Sequence, residues 1–262
     1  MSSAEVPVEL HIEPAYAQTL GAAGLTTYEA FMTTTMGEPL VKPGLQEQGR
    51  QRRRLTLGDE TFYLKRYTSS SSLPGARLEV LAVRSVRDAG VPTMSLAATG
   101  LGPQGGFNLV TEVPGDALSR RFDELVGRFG GGPAAGGELA RRLGGLAGKL
   151  HRAGLVHRDL YASHIFVDVR GGELDLYLID LARVFRPRRR CWRWRLKDLA
   201  ALKYSLPADW AARHWPAVRD AYEDTLGRRL PFWAAVVIAI RTRQTARHDR
   251  RRLGRLAREP GG

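Results

Sequence analysis

The densest chemistry in this sequence lies between Gly154 and Val184, GLVHRDLYASHIFVDVRGGELDLYLIDLARV. The tripeptide His157-Arg158-Asp159 falls in a loop after a helix, and Asp180 ends an apolar strand 21 residues later. A short hairpin separates them, with its turn at Gly171-Gly172. Transfer of a phosphoryl group from a nucleotide to a hydroxyl needs two carboxylates in this relation. One faces the attacking hydroxyl and accepts its proton; the other holds the magnesium that bridges the phosphates. Loops at the ends of one small hairpin fix the distance between them.

Other residues in the chain complete such a site. Arg52 onward reads as a β-hairpin, RRRLTLG, a turn at Gly58-Asp59, then TFYLKRY. Phe62 and Leu64 point to one face of the second strand; Tyr63, Lys65 and Tyr67 point to the other. A flexible SSSSLPG link follows, and then a helix from Pro74 to about Ala89, closed by Gly90 and Pro92. Glu79 shares that helix's apolar face with Ala82, Val83 and Val86, so its carboxylate needs a partner unless it sits at the surface in an ordinary ion pair. FNLVTEVPG reads as a strand leaving into a linker at Glu112–Gly115. Residues 127 to 137 read as a Gly-rich loop, followed by a helix with Leu139, Leu143, Leu146 and Leu150 on one stripe. Lysine, acid, linker, HRDL and IDLA stand in the order of a protein kinase. The expected fold is therefore α+β and protein-kinase-like, in two lobes. Residues 1–112 form a small β-rich lobe with one key helix, and residues 113–262 a larger, mainly helical lobe.

The details resemble one branch of that superfamily. Tyr161 stands where Ser/Thr kinases usually carry lysine, and His164 where they carry asparagine. HRDLYASHIFV is similar to the H-R-D-x-Y-x-x-H loop of lipopolysaccharide kinases of the Kdo/WaaP type. IDLAR resembles their I-D-L-x-R segment, and RWRLKDLAALKYS their R-W-x-x-K-D-L-A segment. GLTTYEAFMTTTMGEPL and AGVPT resemble their N-terminal stretches, so that the likeness covers roughly residues 20 to 210. The resemblance implies ATP and magnesium, or manganese, as cofactors. It makes Asp159 the base for a Kdo or heptose hydroxyl, and Asp180 a metal ligand. Lys65 would pair with the α and β phosphates and with Glu79. Glu112 and Val113 would hold the adenine through their backbone. Asp198 would brace the catalytic loop by accepting hydrogen bonds from its backbone, with His157 and Arg158 as structural support; an exposed helix position is the alternative for Asp198. His164 would take the second metal or phosphate position, or pack the loop; magnesium prefers oxygen to imidazole.

The sequence departs from kinases in three places. No G-x-G-x-x-G precedes Lys65, which leaves Gly58-Asp59, helped by Gly44–Gly49, as the candidate phosphate cradle. Ala182 replaces the last glycine of the DFG triplet. The segment after Asp180, RVFRPRRRCWRWR, offers no phosphorylation site, which suggests a constitutively assembled active site.

Composition bounds the partners. The chain has 262 residues, 40 Lys and Arg against 27 Asp and Glu, and a net charge of +13. That excess points to an anionic partner: a lipid-linked anionic saccharide as acceptor and an anionic membrane surface as peripheral contact. Nucleic acid is disfavoured by the absence of zinc-finger spacing and RNP-like motifs. Only five of the basic residues are lysines, Lys65 among them. Arg183–Arg195, interleaved with Trp192 and Trp194, could seat on a membrane or bind lipid-linked phosphates, or its tryptophans could pack in the core. The basic tail from Arg247 onward adds attraction. One cysteine, Cys191, excludes an internal disulfide. MSSAEVPVELHIEP has no signal-peptide pattern, and Phe232–Ile240 is too short to span a bilayer and reads as a buried core helix. The expected location is cytoplasmic, at the inner face of the cytoplasmic membrane. Competing readings are a protein or small-molecule kinase of the same fold, and a pseudokinase that binds without turnover.

Overall fold

The computed structural model describes residues 7–41, 48–129 and 133–256, and divides the chain into two compact units. The first comprises residues 1–85 and 93–113, the second residues 86–92 and 114–262.

In the first unit, β1 (Glu9–Ile12), β2 (Glu38–Pro39), β3 (Arg50–Leu57), β4 (Glu60–Tyr67), β5 (Leu96–Gly102) and β6 (Gly105–Thr111) form an antiparallel sheet ordered β1-β5-β6-β4-β3-β2. Two short helices, α1 (Ala17–Ala22) and α2 (Tyr28–Thr33), precede β2, and α3 (Leu73–Asp88) follows β4. Gly58 at φ 60° and Asp59 make the two-residue turn that pairs Leu57 with Glu60. The strand period then puts Phe62 and Leu64 into the core with Phe31, Phe107 and Leu109, all fully buried. Arg66 shares that inward face and is buried too. Its Nε donates to the Phe31 carbonyl at 2.8 Å, satisfying the C-terminal end of α2. Thr27 Oγ1 caps the other end by accepting from the Ala30 amide.

The serine run is not a flexible link. Ser69 Oγ accepts from the Ser72 amide and Ser72 Oγ from the Ser69 amide, both at 3.2 Å. This reciprocal pair works as a capping box ahead of α3.

The turn at Gly58-Asp59 corrects a further expectation. Lys65 pairs across β3 with Arg52, at the opposite end of the hairpin from Gly58. The strand runs five residues from Glu60 at the turn to Lys65, roughly 17 Å at the usual rise, which is too far for this turn to cradle a phosphate held by Lys65. Most of Gly44–Gly49, expected to help that turn, lies outside the described residues.

In the second unit, β7 (Asp116–Ala117), β8 (Ile165–Arg170) and β9 (Glu173–Leu178) form a small antiparallel sheet. Gly171 and Gly172, at φ 58° and 87°, supply the left-handed turn between β8 and β9. Around it stand α4 (Leu118–Phe129), α5 (Pro133–Arg152), α6 (Cys191–Ser205), α7 (Ala208–Leu226) and α8 (Ala234–Leu256). Leu139, Leu143, Leu146 and Leu150 are all buried along α5. The expected Gly-rich loop over 127–137 is mostly helix. Pro133, whose missing N–H costs nothing at a first helical position, starts α5, and only 130–132, outside the described residues, separate it from α4.

The segment from Phe232 to Ile240 also differs from its expectation. It is not a buried core helix. Ala234 and Ile238 face inward, and Thr242 donates to the Ala200 carbonyl of α6. Phe232 is 96% exposed, and Trp233, Val236 and Ile240 are exposed as well.

Candidate active site

Lys65 on β4 and Glu79 on α3 form an ion pair within the first unit, with Glu79 almost wholly buried. Glu79 has two more donors: Tyr67 Oη at 2.5 Å and Asn108 Nδ2 at 3.3 Å, both on Oε2. Asn108 also donates to the Ala76 carbonyl at 3.0 Å, tying β6 to α3. Burial, the largest influence on Glu79, pushes its pKa up. Lys65, Tyr67 and Asn108 together outweigh burial and hold it below the usual glutamate value. The same burial, with the Glu79 charge adding to it, pushes the Tyr67 phenol far up, so it stays a donor. The result is a lysine aimed by a carboxylate that is itself fully satisfied.

Glu112 and Val113 do not join this cluster. The Glu112 carboxylate accepts from Tyr63 Oη at 2.7 Å and pairs with Arg54 at 3.3 Å, while its amide donates to the Thr61 carbonyl.

In the second unit, six expected residues converge. Asp198 on α6 is completely buried. Its Oδ2 accepts from the His157 amide at 2.7 Å and lies 3.2 Å from His151 Nε2; its Oδ1 accepts from the Arg158 amide at 2.8 Å. A carboxylate with this many donors holds the loop from beneath. His157 is buried, and its Nε2 donates to the Ile179 carbonyl at 3.0 Å, linking the HRD loop to the residue before Asp180. Burial pushes the His157 imidazole below the usual histidine value, which keeps it neutral for that bond.

Arg158 and Asp180 both adopt the left-handed region, at φ 72° and 56°. Such backbone persists in non-glycine residues only where its surroundings hold it. The Arg158 guanidinium lies over Phe185 and Trp194, at 5.8 and 5.4 Å from their centroids. Thus Trp194 neither enters the core nor stands free; it braces the loop. Trp192 similarly lies under Arg195 and Arg228.

His164 stands on a short 3-10 turn, and its Nδ1 donates to the Asp159 carbonyl at 2.8 Å. A carbonyl can only accept, so in the neutral ring Nε2 carries the lone pair. That Nε2 lies 3.7 Å from Asp180 Oδ2. Two acceptors facing each other across this gap fit a shared cation. Among the described residues no group of three or more His, Cys, Asp and Glu side chains could hold an ion alone. Held there, an ion would have to draw its remaining ligands from groups other than this pair, and the imidazole nitrogen suits it less to magnesium than a second oxygen would.

Several residues in these two clusters were not singled out from sequence. Tyr67 and Asn108 complete the Lys65–Glu79 cluster. Tyr67 was detectable as a neighbour of Lys65 on one strand face, and Asn108 as the one polar residue in FNLV. Arg183, on the 3-10 turn Leu181–Arg183, places Nη1 2.6 Å from Asp159 Oδ2. Lys197 lies over Trp194 at 5.8 Å; burial pulls its ammonium down and the Asp159 charge opposes this. Arg183 is the arginine of the segment resembling I-D-L-x-R and Lys197 the lysine of that resembling R-W-x-x-K-D-L-A, but neither motif tells what the side chain meets, because both act across loop contacts.

A lysine locked to a helix glutamate, and a braced HRD loop linked through His157 to the residue before Asp180, are what a protein-kinase-like fold builds. Residues 46–222 match the family model of the lipopolysaccharide kinase (Kdo/WaaP) family. The chain belongs to that family. It is 31% identical over 147 residues to the lipopolysaccharide core heptose(I) kinase WaaP of Pseudomonas aeruginosa, a match covering 53% of this chain and 55% of that protein. The match thus spans about half the length of this curated relative. Among solved structures, WaaP in complex with acyl carrier protein is similar with a TM-score of 0.65 and 25% identity, over 91% of this chain and 98% of that one.

Proposed function

We propose that this protein transfers the terminal phosphoryl group of ATP to a hydroxyl of a lipopolysaccharide-type core sugar, with heptose favoured over Kdo by the name of the curated relative. The observation that carries this reading is the Asp198 carboxylate under the His157 and Arg158 amides, which fixes Asp159 beside Asp180 and His164.

On this reading the first unit handles the nucleotide and the second performs the chemistry. The Glu112 carbonyl and Val113 amide would take the adenine edge. Lys65, aimed by Glu79, would meet the α and β phosphates. Asp180, faced by His164 Nε2, would hold the magnesium, whose charge neutralises the phosphate oxygens when bound. Asp159 would orient the acceptor hydroxyl and take its proton as the new bond forms. Catalysis comes chiefly from positioning and charge stabilisation.

An acceptor embedded in a lipid surface suits the rest of the molecule. Phe232, Trp233, Val236 and Ile240 form an exposed apolar patch that runs into Arg243 and Arg247 along α8. Aromatic side chains beside arginines are the make-up of a helix lying in an anionic membrane interface. We read this as peripheral seating at the cytoplasmic face of the inner membrane. Among the described residues no helix is long and apolar enough to cross a membrane. Acyl carrier protein, which accompanies the solved relative, is the competing occupant of the patch.

The test is phosphate transfer from labelled ATP to purified lipid-linked core saccharides and, in parallel, to protein acceptors, with Asp159→Ala as control. The reading expects label on saccharide, lost in Asp159→Ala. Label on protein alone overturns the sugar assignment; bound ATP without any transfer overturns the assignment as an enzyme.

A further inference from the structure

We propose that Arg183 is a catalytic residue of this transfer: it pairs with Asp159 and trades that partner for an oxygen of the transferring phosphoryl group. The inference rests on the kinase reading above.

The transferring group spreads negative charge over its outer oxygens, and a cation is needed beside the base. The catalytic loop does not supply one. Asp159 to His164 reads DLYASH, without lysine or arginine. The preceding Arg158 is turned onto Phe185 and Trp194. Among the described residues, two cations remain near Asp159. Lys197 is held over Trp194 and is partly buried. Arg183 is half exposed and bonds Asp159 Oδ2 through Nη1. Its remaining N–H groups, set in a planar fork that matches phosphate geometry, suit it to the task. It also sits three residues after Asp180, on the same short turn, so the metal ligand and the guanidinium are positioned together.

The pairing has a second consequence. While Arg183 Nη1 is bonded to it, Asp159 Oδ2 has that position occupied. Moving Arg183 to the phosphoryl oxygen opens Oδ2 to the acceptor hydroxyl when it is needed. In the step itself, the acceptor oxygen bonds to the γ-phosphorus. The bond from that phosphorus to the bridging oxygen breaks, and its electron pair leaves with ADP. The acceptor proton passes to Asp159. Arg183 donates hydrogen bonds throughout and keeps its charge.

The experiment measures binding of ADP with magnesium to the full chain, with and without aluminium fluoride, a mimic of the planar phosphoryl group. ATP hydrolysis by water gives kcat and KM alongside. Wild type is expected to bind ADP more tightly with the fluoride. Arg183→Gln should keep its affinity for ADP alone and lose the enhancement. Its kcat should fall about 10²- to 10³-fold with KM for ATP little changed. Arg183→Lys should restore part of kcat, and guanidinium in solution should rescue Arg183→Gly. Enhancement and kcat retained in Arg183→Gln overturn the proposal. So does an equal loss of ADP affinity with and without fluoride, the mark of a merely structural residue. Wild type that neither binds ADP nor hydrolyses ATP removes the kinase reading, and the inference with it.

Discussion

Glu79 and Asp198 show how differently two buried acids are kept. Glu79 depends on a cation, so its ionisation should report on Lys65. Its folded pKa lies below the ordinary value of 4.5, so at acid pH the unfolded chain takes up the proton first. Its contribution to stability is present above pH 4.5 and is lost as pH falls through the folded value. In Lys65→Met the main opposing charge is gone, and burial should push Glu79 above its ordinary value. Stability would then rise on acidification from pH 7 towards 4.5. Urea denaturation of both proteins between pH 4 and 7 checks this; parallel curves would disprove the coupling. Asp198 depends instead on backbone amides. Asp198→Ala leaves the His157 and Arg158 N–H groups without their acceptor, at about 3 kcal/mol or more. Thermal unfolding should show that loss together with loss of ATP turnover. At this scale the sequence disclosed the acids and Lys65, because HRD, Asp180 and the KDLA segment are local patterns. It did not disclose that Asn108 meets Glu79 or that the motif arginine Arg183 meets Asp159, partners 29 and 24 residues away. No periodicity encodes such contacts.

Elements whose geometry is local were readable in advance. The β3–β4 hairpin, the β8–β9 hairpin and the leucine stripe of α5 follow from turn residues and side-chain period alone. The exposure of α8 was not readable, because apolar composition cannot tell a buried face from one left for another surface. Nor were residues 133–137 legible as helix, because their glycines favour a loop. Packing of α5 on α7 shows what glycine supplies. A Cβ on Gly144 would overlap the Val218 carbonyl oxygen, and one on Gly148 would stand 2.6 Å from Thr225 Cβ. Gly145 is different, with Thr225 Oγ1 at 3.8 Å as its nearest neighbour. Gly144→Ala should therefore destabilise by about 1–3 kcal/mol. Gly145→Ala should stabilise by about 0.5–1 kcal/mol through helix propensity. Differential scanning calorimetry of the two variants separates them, and equal shifts would contradict the close helix approach.

At the level of the whole molecule, charge and the apolar patch on α8 should act together at a lipid surface. Flotation with vesicles containing phosphatidylglycerol, in the absence of any carrier protein, is expected to recover the protein at low salt and less of it at high salt. The double variant Phe232→Ser, Trp233→Ser should weaken recovery about tenfold or more while leaving ATP hydrolysis unchanged. Recovery that ignores both salt and variant would mean the patch serves something else. The aromatic seat of Arg158 carries a consequence for how the cell can govern such a molecule. The Arg158 charge is already seated on Phe185 and Trp194, and we expect from this that the loop needs no regulatory phosphate to hold it. Phosphatase treatment should leave turnover untouched, while Trp194→Ala should lower it. Output would then follow supply: how many copies are made, how long they last, and how much acceptor reaches them.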